Sequence, residues 1–232
     1  MQLSLNRTQI KYIVVVAMLI DHIAWAFVPT ASIAGQMMHF IGRLTGPTMA
    51  YFLYEGYIHT RSQRKYALRL AVFSLISWPS YCLLEYGKWP MPYFSVIFTL
   101  FVGFLAVLIW DKAPLPTSGK LLLIACLCLI TETSDWAFFD VLCPLGLFVF
   151  RENRRRQWIC FFGIAAVHVM SALLLSGAGW QRQIFQIGVL LAPLMLIYLY
   201  NGESGEENPF DKWFFYIFYP AHQLILYALK KL

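Results

Sequence analysis

Apolar positions in this chain do not alternate along strands and are not confined to one helical face. They fill long stretches, of which Tyr12–Ile20, Val96–Ile109, Leu121–Ile130 and Val189–Tyr200 are the clearest. A helix that crosses the hydrocarbon core of a bilayer needs about 20 mostly apolar residues. The pattern predicts segments over residues 10–28, 36–58, 66–84, 93–110, 119–131, 136–150, 157–176, 183–200 and 213–229. The fifth and sixth are short and separated only by Glu132 to Asp135, so they read as two spans or one interrupted element. The fold class that follows is all-α: a polytopic transmembrane helical bundle of eight to nine spans, with residues 1–232 forming a single integral membrane domain. The first run follows Arg7 and Lys11 directly and closes on no small-residue cleavage site, so it is expected to stay in the protein as a span.

Composition agrees. Hydrophobic residues make up 59% of the chain and charged residues 13%, with a mean hydropathy of +0.61. Soluble domains run to about half apolar and a quarter charged, so a water-exposed surface cannot be built from what remains. Trp25, Trp78, Trp89, Trp110, Trp136, Trp158, Trp180 and Trp213 fall near proposed span ends, as an interfacial aromatic belt predicts. The formal charge of +6 would suit a nucleic-acid partner, but its placement assigns it to membrane orientation instead. With nine spans and the N-terminus inside, Arg7, Lys11, Arg61, Arg64, Lys65, Arg69, Lys112, Lys120, Arg151, Arg154, Arg155, Arg156 and Lys212 lie inside, against Lys88, Arg182, Lys230 and Lys231 outside. That is the positive-inside bias. The lipid bilayer is the expected partner, and nucleic acid is not. Cys82, Cys126, Cys128, Cys143 and Cys160 lie in or beside apolar runs without a paired metal-ligand pattern. They read as small buried hydrophobes, and no metal is expected.

Ionisable side chains inside a span are costly and usually face a cavity or a partner. Asp21 and His22 lie in the first predicted span, Arg43 and Glu55 in the second, His168 in the seventh and His222 in the ninth. At 1.5 Å rise per residue, His22, Arg43, His222 and His168 lie about 9–12 Å from the outer ends of their spans. Four spans thus bring polar groups to one level, which predicts a shared site. Blander roles stand beside that one. Asp21 with Arg43 makes a buried ion pair joining two helices, and His22 an interhelical hydrogen bond. His168 reads as a packed core histidine, His222 as satisfying the backbone break at Pro220, and His39 and His59 as interfacial. In the sharper reading a neutral His22 is a general base, with a neighbouring carboxylate to orient it or stabilise its charged form. Neighbouring residues on a helix point about 100° apart, so Asp21 can pair with Arg43 while His22 faces elsewhere. A second group, Glu55 with Arg61, Arg64, Lys65 and Arg69, reads as topology-setting charge or as a phosphate-binding rim on the inner side.

These residues carry a resemblance. Met18-Leu19-Ile20-Asp21-His22-Ile23, Ile41-Gly42-Arg43 with Pro47, and Glu55-Gly56-Tyr57 with Thr60 come first. Lys65-Tyr66, Arg69-Leu70, Ser134-Asp135-Trp136, Phe215-Tyr216 and Phe218-Tyr219-Pro220 with His222 follow in order over nearly the whole chain. The set resembles the TraX family, membrane-bound acetylases named for acetylating the N-terminus of conjugative pilin. One departure is Ala137-Phe138-Phe139, where a glycine-containing segment is expected. The resemblance implies an acetyl-CoA-dependent acyltransferase of the bacterial inner membrane. Its acceptor is an amine or hydroxyl: a pilin N-terminus, the family precedent, or a small molecule. Under that reading His22, Asp21, Arg43 and His222 are the catalytic candidates, and Glu55, Arg61, Arg64, Lys65 and Arg69 the acetyl-CoA-binding ones. Asp135, Trp136 and Tyr219 are taken as substrate-binding. A straight helix would separate Arg43 from Glu55 by about 18 Å, close to the reach of a pantetheine arm. A proton-coupled or small-molecule transporter is the rival reading, and a structural membrane subunit the third.

The predicted orientation is testable by cysteine-accessibility labelling. In a background lacking the five native cysteines, Ser62→Cys and Asn153→Cys should label from inside and Lys88→Cys from outside. Labelling of positions 62 and 88 from one side would overturn the map.

Overall fold

A computed structural model describes residues 4–175, 177, 179–205 and 208–232. Its elements are α1 (Arg7–Phe27), α2 (Ile33–Gly42), α3 (Thr45–His59), α4 (Gln63–Tyr86), α5 (Val96–Lys112), α6 (Thr117–Ile130), α7 (Phe139–Val149), α8 (Arg154–Leu175), α9 (Leu191–Leu199) and α10 (Pro209–Lys231). A 3₁₀ segment, Trp180–Leu190, leads into α9. Among the described residues, extended pairing is limited to two isolated bridges, Leu5 with Tyr200 and Phe94 with Ser134. The all-α class is as expected.

Four stretches are long and apolar enough to cross a membrane: Arg7–Phe27, Gln63–Tyr86, Arg154–Leu175 and the continuous Trp180–Leu199. That is fewer than the eight to nine spans expected from the apolar runs. The run over 36–58 is not one helix: α2 ends at Gly42, Arg43 caps it, and α3 begins at Thr45. This break removes the straight helical ruler between Arg43 and Glu55. Thr117–Ile130 and Phe139–Val149 are apolar but short, because turns at Thr131–Phe138 occupy the join.

Large apolar side chains face outward along whole helices, over an interior that holds ionisable groups among its apolar core. α8 exposes Ile159, Val167, Met170, Leu174 and Leu175, and α6 exposes Leu121, Leu122, Leu129 and Ile130. Asp21, His22, His39, Arg43, Glu55 and Asp140 are all buried. Outward apolar helix faces with ionisable groups turned inward are what a lipid-facing helical protein requires.

The chain folds into two compact units. The first comprises Met1–Met49, Leu83–Gly87 and Ala165–Leu232; the second, Ala50–Cys82 and Lys88–Ile164. In the first unit α1 starts with a capping box, Asn6 accepting from Gln9 N–H while the Gln9 side chain accepts from Asn6 N–H. It buries Ile10, Val14, Ala17, Met18, Asp21 and Ala24, a helical stripe that includes the acid. α2 folds back antiparallel, with Thr45 Oγ1 donating to the Val14 carbonyl at 2.9 Å. α10 runs parallel to α1. Tyr12 Oη donates to Asp211 Oδ1 at 2.5 Å near the start of both, and about three turns later His22 meets His222. The 3₁₀ segment runs along α2, where Gln36 accepts from Phe185 N–H at 3.1 Å and donates to the Arg182 carbonyl at 3.1 Å.

In the second unit α5 packs against α7 so closely that a Cβ on Gly103 would lie 2.0 Å from the Asp140 carbonyl oxygen. The buried Asp140 lies 2.8 Å from Thr99 Oγ1. Before α7, Trp136 and Phe138 take φ of 55° and 60°, a left-handed conformation costly for residues with a Cβ. This is where the resemblance leads one to expect glycine. Thr131 Oγ1 supports the turn by accepting from Phe138 N–H at 3.2 Å. Of the cysteines, Cys82, Cys128 and Cys143 are buried as expected, whereas Cys126 is exposed on α6.

Gly103→Ala should lower stability by about 1–3 kcal/mol through overpacking, read as a drop in the melting temperature in detergent. Gly163→Ala, where a Cβ meets open space, should be neutral or raise it by up to about 1 kcal/mol through helix propensity. Equal effects would refute the close approach of α5 and α7.

Candidate functional site

The site belongs wholly to the first unit and is built around Asp21. Arg43 Nη2 donates a short, buried hydrogen bond to Asp21 Oδ2, and His39 Nδ1 donates to Oδ1 at 2.7 Å. His39 and Arg43 are four residues apart and therefore project from one face of α2. Gly42 between them lets α1 come close, since a Cβ there would lie 2.3 Å from Asp21 Cβ. Arg43 also sits over the Phe185 ring, 5.4 Å from its centroid. A buried carboxylate with both oxygens bonded, one of them to a guanidinium, is satisfied and charge-balanced.

His39 corrects an expectation. It is not interfacial: it is fully buried, 4.2 Å from Trp25 and 5.1 Å from Phe185 between ring centroids. Its Nε2 is sealed and makes no hydrogen bond among the described residues. Only its four-residue spacing from Arg43 could have signalled it. Asp140 is the other buried ionisable residue that the apolar pattern hid, at the head of a short run.

Asp21 and His22 serve different partners. His22 Nδ1 lies 2.8 Å from His222 Nε2, and His222 Nδ1 donates to the Phe218 carbonyl at 2.7 Å. Pro220 has no N–H to donate to the carbonyl of Tyr216, whereas the His222 ring bonds the carbonyl of Phe218, so His222 does not serve the break at Pro220. Tyr219 packs edge-on to both rings, at 6.4 Å from His22 and 5.8 Å from His222. His168 is half-buried on α8 and is not part of the pair.

The remaining predicted residues fall in the second unit. Arg61, Arg64 and Lys65 are exposed between α3 and the start of α4. Arg69 lies over the Tyr66 ring at 4.9 Å, and Glu55 is buried in α3. Asp111, at the end of α5, accepts from Tyr57 Oη at 2.8 Å and lies 3.1 Å from Lys112 Nζ. Desolvation works against its charge, but the hydrogen bonds from Tyr57 and Lys112 outweigh it and hold the carboxyl below its ordinary range. Asp135 and Trp136 lie in the turn before α7, Asp135 N–H bonding the Phe94 carbonyl at 3.0 Å. They are not in the unit that holds Tyr219.

Against known proteins, the family described as TraX protein matches residues 6–230. A probable fimbrial assembly protein of Dichelobacter nodosus, FimC of serogroup H1, is 32% identical over 241 residues, covering 96% of this chain and 94% of that protein. No solved structure matches.

Asp21→Asn and Arg43→Gln should each cost about 3–5 kcal/mol, because each strands a buried partner. The double variant should cost less than the sum, by a coupling of about 1–3 kcal/mol. Unfolding in mixed micelles measures all three, and strict additivity would mean the pair is not formed.

Proposed function

This chain belongs to the TraX family, and from that membership we propose that it is a membrane-bound acetyltransferase. It moves acetyl from cytoplasmic acetyl-CoA to an amine or hydroxyl presented from the outer side. The observation that carries the reading is the buried His22–His222 pair beside a separately satisfied Asp21–Arg43 pair. A neutral histidine paired with a second one, in a dry interior, suits general-base chemistry on an acceptor. Because Arg43 is bonded to Asp21, its role is to position α1 against α2. The exposed Arg61, Arg64 and Lys65, with Arg69, supply the charge-assisted contacts that acetyl-CoA phosphates require. For the acceptor, the relative's description as a fimbrial assembly protein favours a pilin N-terminus.

We place the protein in the bacterial inner membrane with its N-terminus inside. A transporter reading draws on the helix break at Arg43, since discontinuous helices build substrate sites in transporters. Detergent-solubilised protein separates the two, because a transporter without two compartments has no product.

Purified protein should gain thermal stability with acetyl-CoA, as binding to the native state demands, and should transfer radiolabelled acetyl to a pilin N-terminal peptide. His22→Ala should abolish transfer with acetyl-CoA affinity kept, and His168→Ala should retain most of it. The triple variant Arg61→Gln/Arg64→Gln/Arg69→Gln should weaken acetyl-CoA binding about tenfold or more, each phosphate contact being worth about 1.5–3 kcal/mol. Its saturated rate should change less. A wild-type protein with neither stabilisation nor transfer would refute the proposal.

A further inference from the structure

We infer that His222 is the proton relay for His22, and that Nε2 of His22 is the nitrogen that works on the acceptor. The inference rests on the acetyltransferase reading and assigns within it which atom reacts and where its proton goes.

The donor count along the pair supports this assignment. The Phe218 carbonyl can only accept, so His222 Nδ1, 2.7 Å away, carries a proton. In a neutral ring Nε2 is then a lone pair. It lies 2.8 Å from His22 Nδ1, which must therefore be the donor. That leaves the lone pair of His22 on Nε2. This atom makes no hydrogen bond among the described residues and, unlike His39 Nε2, is not one of their sealed, unsatisfied atoms. A resting positive charge on the pair would invert the order, with His222 donating and His22 holding its proton on Nε2. Such a charge would have no counter-ion, because Asp21 is already committed to Arg43 and His39, and a buried unpaired cation is costly.

In the transfer step the acceptor nitrogen attacks the thioester carbonyl. The new N–C bond forms, the C–S bond breaks, and CoA leaves as thiolate. The acceptor's proton goes to His22 Nε2 while the Nδ1 proton crosses to His222 Nε2, so the positive charge settles on His222. The cycle closes when His22 Nε2 gives its proton to the thiolate and His222 returns its own to His22 Nδ1. The Phe218 carbonyl holds the Nδ1 proton of His222 throughout and keeps that ring in register. His222 touches no substrate in this scheme and is a relay residue.

Two measurements test it. Nitrogen-15 NMR of histidine-labelled protein in detergent, with His22→Gln for assignment, should place the His22 proton on Nδ1. A His22 proton on Nε2 in the wild type overturns the inference whatever the activity. In the second, His222→Gln retains an amide oxygen to accept from His22 Nδ1 but cannot take up a proton. It should lower kcat about 10²–10⁴-fold, with KM for acetyl-CoA and melting temperature unchanged. His222→Ala should lose the tautomer preference as well. An active wild type matched in rate by His222→Gln overturns the relay alone. A wild type that transfers no acetyl overturns the acetyltransferase reading, and the relay with it.

Discussion

A carboxylate in an apolar interior must be balanced in charge and bonded at both oxygens, and the arrangement of the first unit follows from that requirement at Asp21. Its two partners come from one neighbour at helical spacing, α2, as His39 and Arg43. The helix bearing them has to come close, and Gly42 permits it. The helix ends where Arg43 caps it, and a fresh one starts at Thr45. The motif Ile41-Gly42-Arg43 thus has a physical meaning: a contact point and a counter-ion, side by side.

Because Asp21 is fully engaged, it makes no hydrogen bond to His22. The next residue round the helix turns toward α10, and the pairing with His222 follows from the parallel course of α1 and α10. A single residue step, about 100° round the helix, therefore separates two contacts. Asp21 fixes α1 against α2, and His22 meets His222 on α10.

The second unit carries a different polar set. Its charged residues gather near helix ends at Arg61 to Arg69 and around Asp111, where Tyr57 and Lys112 stabilise the carboxylate. The non-glycine left-handed residues Trp136 and Phe138 precede α7 and lead the chain to Asp140, which is sealed against α5. A strained turn held by Thr131 gives α7 a fixed entry without glycine.

Much was legible in residue order alone. Apolar runs too long for a soluble core marked helices suited to a bilayer, because the hydrocarbon thickness sets their length. Asp21, His22, Arg43 and His222 were legible as misfits, because each is costly in such a run. The ordered motifs from Met18 to His222 were enough to suggest the family. The Asp21–Arg43 pair was legible from opposite charge, but the other contacts were not. Depth could not say that His39 would take the second oxygen of Asp21 or that His22 and His222 would touch directly; helix rotation decided both. His39 was hidden because its distance from a predicted span end suggested exposure, while its burial comes from Trp25 and Phe185 closing over it. The break at Arg43 was hidden too, since apolar flanks on both sides read as one span. Hydropathy sets how much chain is apolar, whereas rotation, close approach and helix ends depend on neighbours that only the tertiary fold brings together.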